Sequence, residues 1–206
     1  MKSESFERVA GISAILAGVV GILYSFSFVI LVVMGRAPEL GVLLSSLFLM
    51  LGGLASSAAI VAVFNLVCET NPAPAIWGVL LAILGALGSV IHGGYDLANA
   101  IHPPESNIPS LANLPSQIDP RGLLTFGVAG IGLFVLSWLI RQNEHFPKGL
   151  GTLGYALAIL LVVIYLGRLI ILSPSNPVVA VLIVVTGFVV NPAWYIWLGL
   201  ALRRHG

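Results

Sequence analysis

Residues 75–101 of the chain read AIWGVLLAILGALGSVIHGGYDLANAI, and this stretch is the clearest indication of the fold class. It is continuously apolar over most of its length, whereas a barrel strand alternates with period two over only about ten residues. A helix needs about 20 apolar residues to cross a bilayer, and this stretch is long enough. It also carries His92 and Asp96 toward its carboxyl end. The stretch therefore predicts a transmembrane helix with polar groups inside the membrane.

Five further stretches, before and after this one, have the same apolar character. The six predicted helices cover residues 9–34, 40–68, 75–101, 122–140, 150–172 and 178–202. The composition agrees, because 58% of the 206 residues are hydrophobic and only 8% are charged, whereas soluble domains have about 25% charged residues. We therefore predict an all-α protein, a polytopic six-transmembrane-helix bundle that forms a single domain over residues 1–206.

The longest non-apolar segment is the predicted outer loop at residues 102–119, which is rich in proline. Such a loop is either a connector or a lid, and the sequence leaves both open. At its end, Asp119 and Pro120 are predicted to be the cap and the first-turn proline of the fourth helix.

The distribution of lysine and arginine predicts the orientation of the bundle. One set of ends carries six basic residues and the other carries two, Arg36 and Arg121; the six are Lys2, Arg8, Arg141, Lys148, Arg203 and Arg204. Cytoplasmic segments carry the excess of positive charge. We therefore expect both termini to be cytoplasmic in a multi-pass protein of a bacterial cytoplasmic (inner) membrane.

Charged residues inside the membrane are the main functional signal, since an unpaired charge there is costly and usually has a partner or a water-filled cavity. In the predicted topology, Asp96 and Arg168 lie at nearly the same depth, near the outer ends of helices three and five. His92 shares a helix face with Asp96, because four residues separate them. The predicted ligand-binding residues are His92, Asp96, Arg168, Tyr165 and Tyr95.

Polar residues of the other helices are expected in the same outer half and would complete an outward-facing polar pocket. They are Tyr24, Ser27, Ser45, Ser46, Asn99 and Thr186. The alternative is structural: Arg168 extends its long side chain to the interface and Asp96 only holds it there.

A metal or haem site is not expected, because no other histidine lies in a helix core and zinc needs three or four ligands. We also predict no cofactor and no catalytic residue. An enzyme in which Asp96 orients His92 as a general base lacks a nucleophile, since Ser89 lies along the same helix and does not converge on the histidine. The net charge of +1 gives no reason to expect a nucleic-acid partner.

Two patterns concern packing. Small residues such as Gly53, Gly85 and Gly130 predict close contacts between helices. Pro192 in the sixth helix predicts a kink, because proline removes a backbone hydrogen bond.

The chain resembles a bacterial family of six-helix integral membrane proteins that is known as a domain of unknown function. The resemblance rests on ERVAGI at residues 7–12, on FPKGLG at residues 146–151, and on LGY at residues 153–155, together with the number and spacing of the helices. It implies the architecture over nearly the whole chain and transfers no activity, cofactor or site residue.

The leading functional prediction is a membrane protein that binds or moves a small polar or anionic ligand, or a lipid head group, in the outer pocket. The first alternative is an intramembrane hydrolase or transferase that uses His92 and Asp96. The second is a structural subunit of a membrane complex or oligomer, which predicts polar residues that contact one another without a cavity. The lipid bilayer is a partner in all three.

Overall fold

The structure, a computed structural model, describes residues 3–102, 118–171 and 176–205, and these residues form helices and short connections without a strand. Six helices of this described part are long and apolar enough to cross a membrane, and they are α1 (Phe6–Val33), α2 (Pro38–Val67), α3 (Pro72–Ile101), α4 (Pro120–Gln142), α5 (Lys148–Ile170) and α6 (Pro177–Arg204). This architecture confirms the all-α prediction and suggests a multi-pass membrane protein. Most of the predicted outer loop, residues 103–117, lies outside the described residues. The two alternatives for this loop, a connector or a lid, therefore stay predictions.

The observed helices begin a few residues before the predicted ones. Pro38, Pro72 and Pro177 stand at the first helical positions of α2, α3 and α6, although all three lie just before the predicted helices. Proline suits this position because its fixed φ is helical and its missing N–H would have no partner there. The helices therefore extend beyond the apolar stretches that predict them.

The helices form a ring in chain order. Each helix packs antiparallel on the next one, and α6 returns to pack on α1. The closing contact is tight, because a Cβ on Gly11 of α1 would lie 2.6 Å from Cγ of Arg203 in α6. The amino-terminal end of α1 and the carboxyl-terminal end of α6 therefore share one end of the bundle, the termini end. The opposite end, where α1, α3 and α5 finish, is called the Arg168 end.

Small residues let neighbouring helices approach closely, as the sequence predicted. A Cβ on Gly53 of α2 would lie 2.6 Å from the carbonyl oxygen of Ala86 in α3, and one on Gly85 of α3 would overlap Ala129 of α4. Lipid tails are as apolar as the side chains, so helices in a membrane associate mainly through such close packing.

Large side chains fill the termini end of the ring. Trp194 and Leu198 of α6 are buried there with Val63, Leu139 and Leu150 from three other helices. The Arg168 end has fewer such side chains, and this difference leaves a space inside the ring.

In the described ranges, three π-helical segments interrupt the regular helices, all in the half toward the Arg168 end. They are Ser27–Val33 in α1, Leu123–Val128 in α4 and Thr186–Val190 in α6. The third segment directly precedes Asn191 and Pro192, the position at which the sequence predicts a kink. Such segments occur frequently at functional sites.

Candidate ligand-binding cavity

A cavity of about 690 Å³ lies inside the ring, and all six helices contribute to its wall. Along α3 it extends from Ala82 to Asp96, which is about 21 Å at a rise of 1.5 Å per residue. Apolar side chains such as Ile60 and Leu133 line its deeper part, and Arg168, Asp96 and His92 line it toward the Arg168 end. Its size falls in the usual range of ligand pockets, about 300–1,000 Å³. The cavity is thus polar at one end and largely apolar along its length.

His92 lies between two carboxylates. Its Nε2 is 3.2 Å from Oδ2 of Asp96, one turn along α3, and its Nδ1 is 3.5 Å from Oδ2 of Asp119. Ionised carboxylates only accept hydrogen bonds, so the imidazole satisfies both contacts only when both of its nitrogens carry a proton. The geometry therefore favours a positively charged His92 shared by two negative side chains.

Asp119 fixes the start of α4 as well as contacting His92. Its Oδ1 accepts a hydrogen bond from the backbone N–H of Leu124 at 2.7 Å. Its Oδ2 accepts bonds from the backbone N–H of Thr125 at 3.1 Å and from the Thr125 hydroxyl at 2.6 Å. The sequence predicted a cap at this residue, and the structure shows the cap displaced by several residues into the helix.

The displacement comes from an irregular first turn of α4. Arg121 has φ 60° and Gly122 has φ 79°, so the chain passes through the left-handed region before the regular helix begins. This turn lets the carboxylate of Asp119 reach forward to the free N–H groups of Leu124 and Thr125. Such N–H groups at a helix start have no partner within the helix and favour a negative charge.

The electrostatic state of Asp119 follows from these contacts. Burial alone raises the pKa of its carboxyl group, but the hydrogen bonds from His92, from the Thr125 hydroxyl and from the backbone N–H groups of Leu124 and Thr125 outweigh burial and lower the pKa to about 2. Asp119 is therefore ionised at neutral pH although its residue surface is only 1% exposed.

Arg168 lines the same cavity as Asp96 but does not pair with it. Its guanidinium carbon lies 5.4 Å from the centre of the Phe126 ring. Within the described parts of the chain, it makes no ion pair within 4 Å. The sequence allowed a direct pair between Asp96 and Arg168, and the structure instead engages Asp96 with His92. Tyr24 of α1 lies within electrostatic range of both charges.

The remaining predicted site residues divide into two groups. Tyr24, Ser45, Ser46 and Thr186 line the cavity, as the predicted polar pocket requires. Tyr95, by contrast, is 42% exposed on the outer face of α3, and Tyr165 packs against Gly127 of α4. Tyr95, Tyr165, Ser27 and Asn99 are not part of the cavity wall.

The hydroxyl groups of the cavity differ in their hydrogen bonds. Ser25, Ser45 and Ser46 each donate to a carbonyl oxygen of their own helix, at 2.9, 3.1 and 2.7 Å. Thr186 is only 4% exposed, and its hydroxyl has no hydrogen-bond partner among the described residues. A buried hydroxyl without a partner is costly in an empty site, and a ligand can supply the missing partner.

Three observations concern the possible metal-binding and catalytic residues. In the parts of the chain that the structure describes, no three His, Cys, Asp or Glu residues are placed to hold a metal ion. Both ring nitrogens of His92 face carboxylates, so neither is free to take a proton from a substrate. Ser89 donates its hydroxyl to the carbonyl oxygen of Gly85 at 3.2 Å.

Sequence reasoning missed Asp119 as a member of the site. The sequence indicated Asp119 only as a helix cap. It lies 27 residues from His92, and no local sequence pattern connects the two residues.

Comparison of the chain with protein-family models, with curated proteins and with solved structures gave no match.

Proposed function

We propose that this chain is a multi-pass protein of a bacterial inner membrane that binds a small polar or anionic ligand, or a lipid head group, in the cavity of the ring. The observation that carries the proposal is Arg168, a cation that lines the cavity and has no acidic partner among the described residues. A charged side chain that lines the interior of a membrane bundle normally has a partner or a water-filled space, and an anionic ligand provides the partner.

The contacts of the neighbouring charged groups leave Arg168 available to an anion. His92 contacts both Asp96 and Asp119, so Arg168 is the cation of the cavity wall that has no carboxylate contact among the described residues. Its five N–H donors suit a carboxylate or a phosphate group. The side chain of Asp96 is 38% exposed, so its carboxylate is accessible to a hydroxyl or amino group on the same ligand.

The cavity separates this proposal from the two alternatives. A purely structural subunit would have a filled bundle, whereas this ring encloses about 690 Å³. An intramembrane hydrolase would need a free base and a nucleophile, and both His92 and Ser89 are engaged in other contacts. Binding of a ligand is the function that uses the open cavity and Arg168 without a change in the contacts of His92 or Ser89.

We further propose that the Arg168 end faces the outside of the cell. The excess of lysine and arginine lies at the termini end, with Arg141, Lys148, Arg203 and Arg204 among the contributors. Positive charge is enriched on the cytoplasmic side, so the polar end of the cavity would open outward.

Native mass spectrometry of the purified protein tests the proposal. We expect the wild-type chain to retain an anionic species that Arg168→Gln loses by about tenfold or more, because a charge-assisted hydrogen bond contributes about 1.5–3 kcal/mol. Arg36→Gln is the matched control, since Arg36 is an exposed cation at the same end of the bundle and is not part of the cavity wall. Equal retention of every bound species by the Arg168→Gln variant would contradict the proposal.

A further inference from the structure

Four charged groups lie at the polar end of the cavity, and their charges balance only while His92 carries a proton. Two negative groups, Asp96 and Asp119, are then opposed by two positive ones, His92 and Arg168. When His92 is neutral, Arg168 is the one cation among these four, and the group becomes net negative. Charges interact more strongly in a protein interior than in water, because the effective dielectric constant is lower there. The proton on His92 therefore decides whether an anion meets a neutral or a negative site.

The two carboxylates respond differently to the loss of this proton. Asp119 keeps the three hydrogen bonds from Leu124 and Thr125, which hold it at the start of α4. Asp96 has His92 as its one ion-pair partner in the described part of the chain, and its side chain is 38% exposed. A neutral imidazole has a single N–H and no charge. Asp96 is therefore the carboxylate that loses its compensating positive charge.

Arg168 is the cation to which an uncompensated Asp96 is attracted. Both side chains line the cavity, and Tyr24 lies within electrostatic range of both. Asp96 lies five residues before the end of α3 and Arg168 two before the end of α5, which is about 8 Å and about 3 Å of helix. An anion at Arg168 and an uncompensated Asp96 thus compete for the same guanidinium.

The other groups that face this end do not supply the same effect. The titratable or charged residues that line the cavity are Tyr24, His92, Asp96, Arg168 and Tyr195. Tyr195 lies toward the termini end, and a phenol such as that of Tyr24 is neutral in water below about pH 10. On the side of α2, the residues next to Gly93 are Ser46 and Met50, which do not titrate. His92 is thus the group at this end whose charge changes near neutral pH.

We propose that the cavity binds its anion together with a proton, which His92 holds between Asp96 and Asp119. Protonated His92 compensates Asp96 and leaves Arg168 to the anion, whereas neutral His92 leaves Asp96 to compete with it. The affinity for the anion therefore falls as the pH rises. The inference rests on the proposed function and names the ion that binds with the ligand.

The binding of a sulfate group at different pH values tests this coupling, since sulfate does not titrate in the range used. The probes are isotope-labelled inorganic sulfate and hexadecyl sulfate, which present the same anion free in water or on a lipid-like chain, with the protein in phosphatidylcholine nanodiscs. Specific binding is the part that Arg168→Gln lacks. We expect an affinity about tenfold lower at about pH 10 than at about pH 5, a range that spans the titration of histidine. The probe that binds shows whether the anion comes from water or from the membrane.

Two variants separate the roles of His92 and Asp96. His92→Gln is neutral at every pH, so it should bind the probe as weakly at about pH 5 as the wild type does at about pH 10. Asp96→Asn removes the competing charge and should bind about tenfold more tightly than the wild type at the alkaline end.

Two further variants are controls. His102→Gln makes the same change at an exposed histidine at the carboxyl end of the same helix, so it should keep the pH dependence of the wild type. Tyr24→Phe should keep it as well, because the phenol does not carry the proton.

Proton uptake measures the same coupling from the other side, because the effect of a proton on anion binding equals the effect of the anion on proton binding. In weakly buffered solution at the midpoint of the pH profile, addition of the probe that binds should make the wild-type sample more alkaline. The His92→Gln sample should show no such change. A residue with a merely structural role would not take up a proton when the anion binds.

The results distinguish the inference from the proposed function. Binding that depends on Arg168 but has equal affinity at both ends of the pH range would overturn the coupling and leave the proposed function standing. A pH profile that is the same for the wild type and His92→Gln would also overturn the coupling. Absence of Arg168-dependent binding for both probes at every pH would contradict both.

Discussion

Asp119 connects two helices that are separate in the sequence. It accepts three hydrogen bonds at the start of α4 and contacts His92 of α3, and it is almost fully buried. A buried acceptor with this many donors cannot be removed without leaving those donors unsatisfied. At the scale of single residues, Asp119 is therefore expected to be the most sensitive position at the polar end of the cavity.

We expect Asp119→Ala to lower the free energy of unfolding by about 2 kcal/mol, because the variant loses both the helix cap and the contact with His92. Asp119→Asn should lose less, since asparagine also caps helices. Thermal unfolding in detergent of the wild type, Asp119→Asn and Asp119→Ala should give unfolding temperatures that decrease in this order. An alanine variant as stable as the wild type would contradict the assigned role of Asp119.

The carboxylate of Asp119 should make the stability of the fold depend on pH. The pKa of Asp119 is about 2 in the folded protein and about 3.9 in an unfolded chain, so its ionised form stabilises the fold. This stabilisation is fully present above about pH 4 and is lost as the pH falls toward about 2. Unfolding midpoints measured across this range should fall more steeply for the wild type than for Asp119→Asn. If the unfolding midpoints of the wild type and Asp119→Asn changed equally with pH, ionisation of Asp119 would not contribute to stability.

Some of the residue-level site could be predicted from the sequence and some could not. The contact of His92 with Asp96 follows from helical spacing, and the structure shows it at 3.2 Å. The contact of His92 with Asp119 depends on how α3 packs against α4, which no local pattern encodes. Tyr95 lies outside the cavity wall because it directly precedes Asp96, and one residue turns a side chain by about 100° around the helix axis.

At the scale of helices, the sequence predicted the six elements but none of the three π-helical segments found among the described residues. Pro192 indicates a disturbance in α6, and the π-helical Thr186–Val190 precedes it. The segments Ser27–Val33 and Leu123–Val128 contain no proline and have apolar sequences like those of regular helices. Residues from all three segments line the cavity, so these wide turns shape its wall.

We expect Pro192→Ala to raise thermal stability and to reduce ligand binding. Alanine restores a backbone N–H and removes a clash, a change of about 3 kcal/mol in helix preference. A regular helix over Thr186–Val190 would then rotate Thr186 away from its place in the wall. Unfolding temperature and the amount of copurified ligand should therefore change in opposite directions. Increased or equal ligand in a more stable variant would contradict the role given to this segment.

At the scale of the whole molecule, the arrangement of the helices was not predictable from the chain. Apolar length gives six crossings, but the return of α6 to α1 depends on contacts such as Gly11 with Arg203 and Gly199. Closure of the ring, together with large side chains at one end only, produces the cavity. The polar residues of several helices thereby surround one space.

The proposed orientation can be tested with single cysteines in a Cys68→Ala background. Arg36 and Glu144 are exposed residues at opposite ends of the bundle. In intact cells, we expect a membrane-impermeant maleimide to label Arg36→Cys, and to label Glu144→Cys only after the membrane is permeabilised. The reverse pattern would place the Arg168 end in the cytoplasm.

The ring is proposed to hold an anionic ligand against Arg168. A cryo-electron microscopy reconstruction of the protein purified in nanodiscs, at a resolution that shows side chains, would show such a ligand itself. We expect density for a bound species that begins at the guanidinium of Arg168 and extends into the cavity. A cavity closed by side chains, with Arg168 in direct contact with Asp96, would contradict the claim.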